Sequence, residues 1–131
     1  MTLRNRLLLA TAALAVVASP ALAQPRVRTG LEVLLSDSMH LVRGKRVGVL
    51  TNHSGRLSDG TSSIDALFKA PGVKLVALFG PEHGIRGVAK AGEKIASSVD
   101  SATGVPVYSL YGDIRAPTAD MLKDIDVLLY D

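Results

Sequence analysis

The sequence predicts an α/β fold built on a mostly parallel sheet with flanking helices, and three observations lead there. Short apolar runs alternate with segments of helical spacing along the chain, the order expected of βαβ units. The run Lys74-Leu75-Val76-Ala77-Leu78-Phe79 is almost continuously apolar, as a strand buried on both faces must be. Hydrophobic residues make up 47% of the 131 residues but aromatics only 4%, so the core is aliphatic, as parallel cores rich in Val, Leu and Ile are.

Each element has its own signal. Thr29 caps a helix whose Leu31, Leu34 and Leu35 recur at i, i+3, i+4. Arg46-Val47-Gly48-Val49-Leu50 is the first strand, closed by Thr51-Asn52, and a polar loop runs from His53 to Gly60. Thr61 or Ser62 caps the next helix, with Ile64, Leu67 and Phe68 as its apolar stripe and Pro71-Gly72 as its stop. The strand at 74–79 follows, and the Gly and Pro of Gly80-Pro81-Glu82-His83-Gly84-Ile85-Arg86-Gly87 require a loop there. A polar stretch through Asp100 to Gly104 leads to a strand over Val105 to Leu110, ending in Tyr111-Gly112. Pro117-Thr118 opens a short helix with Met121 and Leu122, and Asp126 to Tyr130 is the last strand, meeting Asp131. Four strands with helices between them make half of a doubly wound sheet, so the chain is expected to be the N-terminal part of something longer.

The start of the chain predicts a secretory signal over residues 1–23, leaving 24–131 as the folded part. Arg4 and Arg6 precede an apolar run from Leu7 to Val17, and Ala21-Leu22-Ala23 is a small-x-small cleavage site. The apolar run is shorter than the roughly 20 residues a bilayer span needs, so no stable membrane span is expected after cleavage. Export places the protein in the periplasm or outside the cell. Removing the signal takes away two arginines and no acid, so the formal charge falls from +3 to +1. A nearly neutral chain with scattered basic residues excludes the electrostatic footprint of a nucleic-acid binder. The absence of cysteine excludes disulfide scaffolds, zinc-thiolate sites and thiol nucleophiles.

Ligands of open α/β sheets bind beyond the carboxyl ends of the strands. Asn52, His53, Glu82, His83, Tyr111 and Asp131 occupy those positions here. Glu82, between Pro81 and His83 in a rigid loop, is a candidate general acid or base, or a carboxylate that accepts loop N–H groups. Asn52 is set to form an Asx-turn or to hydrogen-bond a ligand. Adjacent Glu82-His83 lacks the i, i+4 spacing that presents metal ligands together, so no metal is expected. Neither dinucleotide nor P-loop glycine pattern occurs, nor a G-x-S-x-G elbow, and no cofactor is expected.

Taken together, these residues resemble a known family. Gly44 to Gly55, read as GKRVGVLTNHSG, and Leu78 to Gly87, read as LFGPEHGIRG, resemble the leading motifs of the exo-β-N-acetylmuramidase family. Ala91-Gly92-Glu93-Lys94, Pro106 to Gly112 and Pro117-Thr118 with Met121-Leu122 follow in the same order. The resemblance implies a Rossmann-like N-terminal domain, with a smaller C-terminal domain across a cleft. It further implies an exo-acting glycoside hydrolase that takes terminal N-acetylmuramic acid from non-reducing ends of peptidoglycan fragments. Glu82 matches the catalytic glutamate; Asn52, His83 and Arg86 match cleft-facing positions, and Asp131 matches the first residue of an Asp-x-Gln-Asp motif, so all four are expected to bind substrate. Arg86 suits the lactyl carboxylate of muramic acid, because a guanidinium fork matches a carboxylate. The group opposite Glu82 is either a carboxylate such as Asp131 or the substrate's own acetamido group. The rival expectation is a non-catalytic periplasmic module that binds sugars or cell-wall fragments.

Overall fold

A computed structural model describes residues 26–88 and 96–131. The expected signal segment and the Ala91–Lys94 motif lie outside the described residues. Helix α1, Gly30–Asp37, begins at a capping box in which Thr29 accepts from the Glu32 N–H and Glu32 accepts from the Thr29 N–H. A short 3₁₀ turn, Met39–Leu41, leads into β1, Arg46–Leu50. Then come α2, Ser63–Lys69, β2, Lys74–Gly80, and the two-residue β3, Ser98–Val99. The chain continues with β4, Pro106–Ser109, α3, Ala119–Leu122, and β5, Val127–Tyr130. Among the described residues no helix is long and apolar enough to cross a membrane.

The sheet runs β3-β4-β2-β1-β5. All neighbours are parallel except β3, which pairs antiparallel with β4 through Ser98–Val107 and Val99–Pro106. The connection through α2 carries the chain from β1 to one side, whereas α3 carries it from β4 back across to β5 on the other. Strand order therefore reverses between β1 and β5, the switch point of a doubly wound fold.

The sheet sorts the apolar residues onto two faces. Leu31 of α1 and Ile64 and Leu67 of α2 pack with Val47, Val49, Leu75 and Leu78. On the other face Ala77, Phe79 and Leu110 pack with Leu50, Tyr108, Met121, Leu122 and Ile125. Leu75 and Leu78 share a face although three positions separate them. An irregularity in β2 explains this: Val47 pairs with Leu75 but Gly48 with Ala77, so one extra residue resets the alternation. Gly48 itself faces the α3 side, where a Cβ would come within 2.7 Å of Ile125 Cδ1 and 3.3 Å of Phe79 Cε2.

The four longer strands and three helices fall where the sequence places them, with ends differing by a residue or so. Ser62 rather than Thr61 caps α2. Phe68 departs from its expected place in the core stripe: it is 46% exposed, while Ile64 and Leu67 are fully buried. With α2 resting on the sheet along the Ile64–Leu67 line, position 68 falls at the solvent edge. Strand β3 was not expected, because both its residues are exposed and carry no apolar alternation.

The lower edge is closed by charge. Asp126 accepts from the Arg46 backbone N–H at 2.8 Å and pairs with its guanidinium at 2.9 Å, joining the starts of β1 and β5. The Arg46 side-chain hydrogen bond pulls the Asp126 carboxyl down to about 2. Glu32 is also held at about 2, first by the Ser58 hydroxyl and then by the Thr29 N–H.

Two predictions follow from this packing. Gly48→Val should cost about 1–3 kcal/mol, because Ile125 and Phe79 must move to admit the branch; urea unfolding measures it. Both carboxyls have folded values below their unfolded ones, so their stabilisation is complete above about pH 4.5 and is lost as the pH falls toward 2. Glu32→Gln should therefore lower stability at pH 6 and flatten the loss between pH 5 and 2, as thermal melts across that range would record.

Candidate functional site

The carboxyl ends of four parallel strands are held level by bonds that continue the ladder past them. Thr51 donates to Phe79 O at 3.1 Å, Leu110 to Gly80 O at 2.8 Å, and Asp131 to Leu50 O at 3.1 Å. The loops that follow these strands thus start from fixed points on one edge.

The loop after β2 is tightly folded. Gly84 donates to Pro81 O at 3.0 Å, closing a turn over Glu82 and His83. His83 has φ 69, the only positive φ outside glycine among the described residues. A left-handed residue of this kind costs about 1–3 kcal/mol and persists only where its surroundings enforce it. Gly80 is required by the fold-back, since a Cβ there would lie 3.2 Å from Ile85 N. The turn lifts Glu82 into solvent, and its carboxylate stands near the Tyr111 hydroxyl, whose pKa it raises. Residues 29 apart in sequence meet because β4 lies next to β2.

His83 turns the other way, toward the loop after β1. Its ring meets that of His53 edge to face, with centroids 6.5 Å apart. Gly87 packs so closely on His53 that a Cβ would come within 2.7 Å of the histidine Cβ and Cγ. Asn52 forms the Asx-turn, accepting on Oδ1 from Ser54 N at 2.8 Å and Ser54 Oγ at 2.6 Å. Asp131 lies on the far flank, beyond β1, where its Oδ2 accepts from Thr51 Oγ1 at 3.3 Å. Asn52, His53 and His83 therefore hold the middle of the edge, with Glu82 and Tyr111 on one side and Asp131 on the other.

Arg86 lies between two acids that the sequence did not mark as part of the site. Its Nε donates to Asp100 Oδ1 at 3.0 Å and its Nη2 to Asp100 Oδ2 at 2.8 Å. Nη2 also reaches Asp65 Oδ1 at 2.9 Å. The guanidinium pKa is raised, first by the Asp100 hydrogen bond and then by Asp65, and the Asp100 carboxyl is lowered chiefly by Arg86. The Asp100 side chain is only 3% exposed, so its charge depends on this pairing; removing one partner of such a pair costs about 3–5 kcal/mol. The fork expected for a sugar carboxylate is thus occupied by Asp100, leaving Nη1 as the edge without a carboxylate among the described residues. No sequence signal marks Asp65 or Asp100, which lie 21 and 14 residues from Arg86 on different elements.

A cavity of about 340 Å³ opens beside this network, lined by His53, Arg56, Lys69, Asp65 and Arg86 among others. Among the described residues no three His, Cys, Asp or Glu side chains converge as metal ligands.

Comparison with known proteins agrees with this layout. Residues 47–131 match the family model described as Exo-beta-N-acetylmuramidase NamZ, N-terminal. The peptidoglycan beta-N-acetylmuramidase NamZ of Bacillus subtilis (strain 168) is 50% identical over 108 residues, which are 82% of this chain and 26% of that protein. Two crystal structures of DUF1343 family proteins from Bacteroides fragilis NCTC 9343 are similar. BF0371 superposes with TM-score 0.71 at 52% identity, over 82% of this chain and 27% of its own. BF0379 gives TM-score 0.59 at 30% identity, over 78% and 24%. The chain thus spans about a quarter of the length of the relatives it matches. With its model matched across the sheet and all the strand-end loops, the chain belongs to the exo-β-N-acetylmuramidase NamZ family.

Proposed function

We propose that the protein is an exo-acting glycoside hydrolase that releases terminal N-acetylmuramic acid from the non-reducing ends of peptidoglycan fragments, with Glu82 as general acid and base. The observation that carries this reading is the position of Glu82: raised on a strained turn at the carboxyl edge of a parallel sheet, near the Tyr111 phenol, in a member of this family. The name of the Bacillus subtilis relative supports the substrate class.

Glycosidic cleavage needs a proton on the leaving oxygen and a second group across the anomeric carbon. Glu82 supplies the proton. A seated sugar takes its exposed carboxyl out of water, the desolvation on which general-acid carboxyls depend. Asp131 and the substrate's own acetamido group are the two candidates for the second group. Asn52, His83 and Asp131 then contact the sugar along the edge, and Arg86 contributes through Nη1.

The signal segment supports a periplasmic or secreted location, where such fragments arise. Purified from its source, the mature protein should begin at Gln24, as N-terminal sequencing would read; an intact Met1 would overturn export.

Glu82→Gln in the native protein should lower turnover of a chromogenic muramic acid glycoside about 10²–10⁴-fold, the usual contribution of a general acid. Near-normal turnover by the variant would remove the assignment. Binding of cell-wall fragments by the native protein without release of sugar would favour a non-catalytic binding module.

A further inference from the structure

We infer that Asp100 and Asp65 are positioning residues of the reaction: acting through Arg86, they hold the Pro81–Gly87 turn that presents Glu82. The inference rests on the reading of Glu82 as the acid.

The turn has little to hold it from within. Its own backbone bonds are Gly84 N to Pro81 O at 3.0 Å and Gly87 N to Gly84 O at 3.4 Å. Gly84 and Gly87 adopt their positive φ freely, but His83, which carries a Cβ, stands at positive φ against its local preference. The turn's anchors are therefore external. Ile85 is buried in the core beneath α2, and Arg86, the next residue, is clamped.

The clamp is built to be rigid. Asp100 has anchors besides Arg86, because Thr103 donates to its Oδ2 from both backbone N at 3.1 Å and Oγ1 at 2.7 Å. Its backbone is closed by Asp100 N to Val105 O at 2.9 Å and Gly104 N to Asp100 O at 2.7 Å. The carboxylate then meets Arg86 with both oxygens, a two-point contact that fixes orientation as well as distance. Asp65, on α2, holds the same Nη2 from the other side. The guanidinium joins the turn before β4, the helix after β1 and the turn after β2, and it lies four residues from Glu82. Both acids therefore act on Glu82 through Arg86, by fixing where the turn stands.

The test compares Asp65→Asn, Asp65→Glu and Asp100→Asn in the native protein with a chromogenic muramic acid glycoside, beside Glu82→Gln. Asp65 is partly exposed, so its variants should fold even where Asp100→Asn does not. Asp65→Asn should lower kcat between about 10- and 100-fold, more than it raises KM, the signature of a misplaced reacting group. Asp65→Glu should recover most of that loss by restoring the charge. Amide exchange at Gly84 and Gly87 should quicken in Asp65→Asn, reporting the loosened turn directly. Native kcat together with native exchange in folded Asp65→Asn and Asp100→Asn would overturn the inference, as would a loss carried wholly by KM. If Glu82→Gln is inactive while the aspartate variants are normal, the positioning role falls and the acid reading stands. If Glu82→Gln keeps its turnover, the acid reading falls and the positioning role in catalysis falls with it, while exchange still reports whether the acids hold the turn.

Discussion

Strand β1 is the constraint on which the other parts depend. It is buried on both faces and paired on both edges, with β2 on one side and β5 on the other. A strand so placed has no water for its peptide groups, so both neighbours must meet it in register. That requirement brings β5 back across the sheet and creates the reversal of strand order. It also aligns the ladder bonds at Thr51, Leu110 and Asp131, which fix where the functional loops begin. Gly48 serves the same end, since its missing side chain lets α3's neighbour Ile125 settle onto the sheet against Phe79.

The two edges of the sheet use charge differently. At the amino edge, Arg46 with Asp124 and Asp126 is largely exposed, and solvent screens pairs of that kind. There the backbone contact of Asp126 with Arg46 does more, by joining two parallel strands at their start. At the carboxyl edge, Asp100 is buried and its charge is satisfied by four donors from Arg86 and Thr103. Asp100 is poorly replaceable in its pairing, because losing Arg86 strands its charge away from water. Arg86 lies three residues from the left-handed His83 on one turn.

Much of this was legible in the residues. Helix caps at Thr29, Ser62 and Thr118 use short-range hydrogen bonds that their own neighbours supply. The buried strands were legible because apolar continuity is imposed by burial on both faces, and the GPEHG loop because proline fixes φ and glycine admits the left-handed region. Asn52 as an Asx-turn is equally local. Phe68 and β3 were not legible: whether position 68 meets the core depends on how α2 lies on the sheet, and β3 exists only because β4 offers a free edge.

By itself, then, the sequence determined which segments become strands and helices, which loops fall at the strand ends, and which of their residues can do chemistry. Those properties depend on φ, capping and apolar pattern within a few residues. Only the tertiary structure decided who meets whom: Glu82 with Tyr111, His83 with His53, and Arg86 with Asp65 and Asp100. Those meetings follow from strand order and from the bulge that sets the faces of β2. Strand order is a matter of long-range pairing, in which every buried peptide group must be satisfied at once, and no stretch of sequence carries that condition alone.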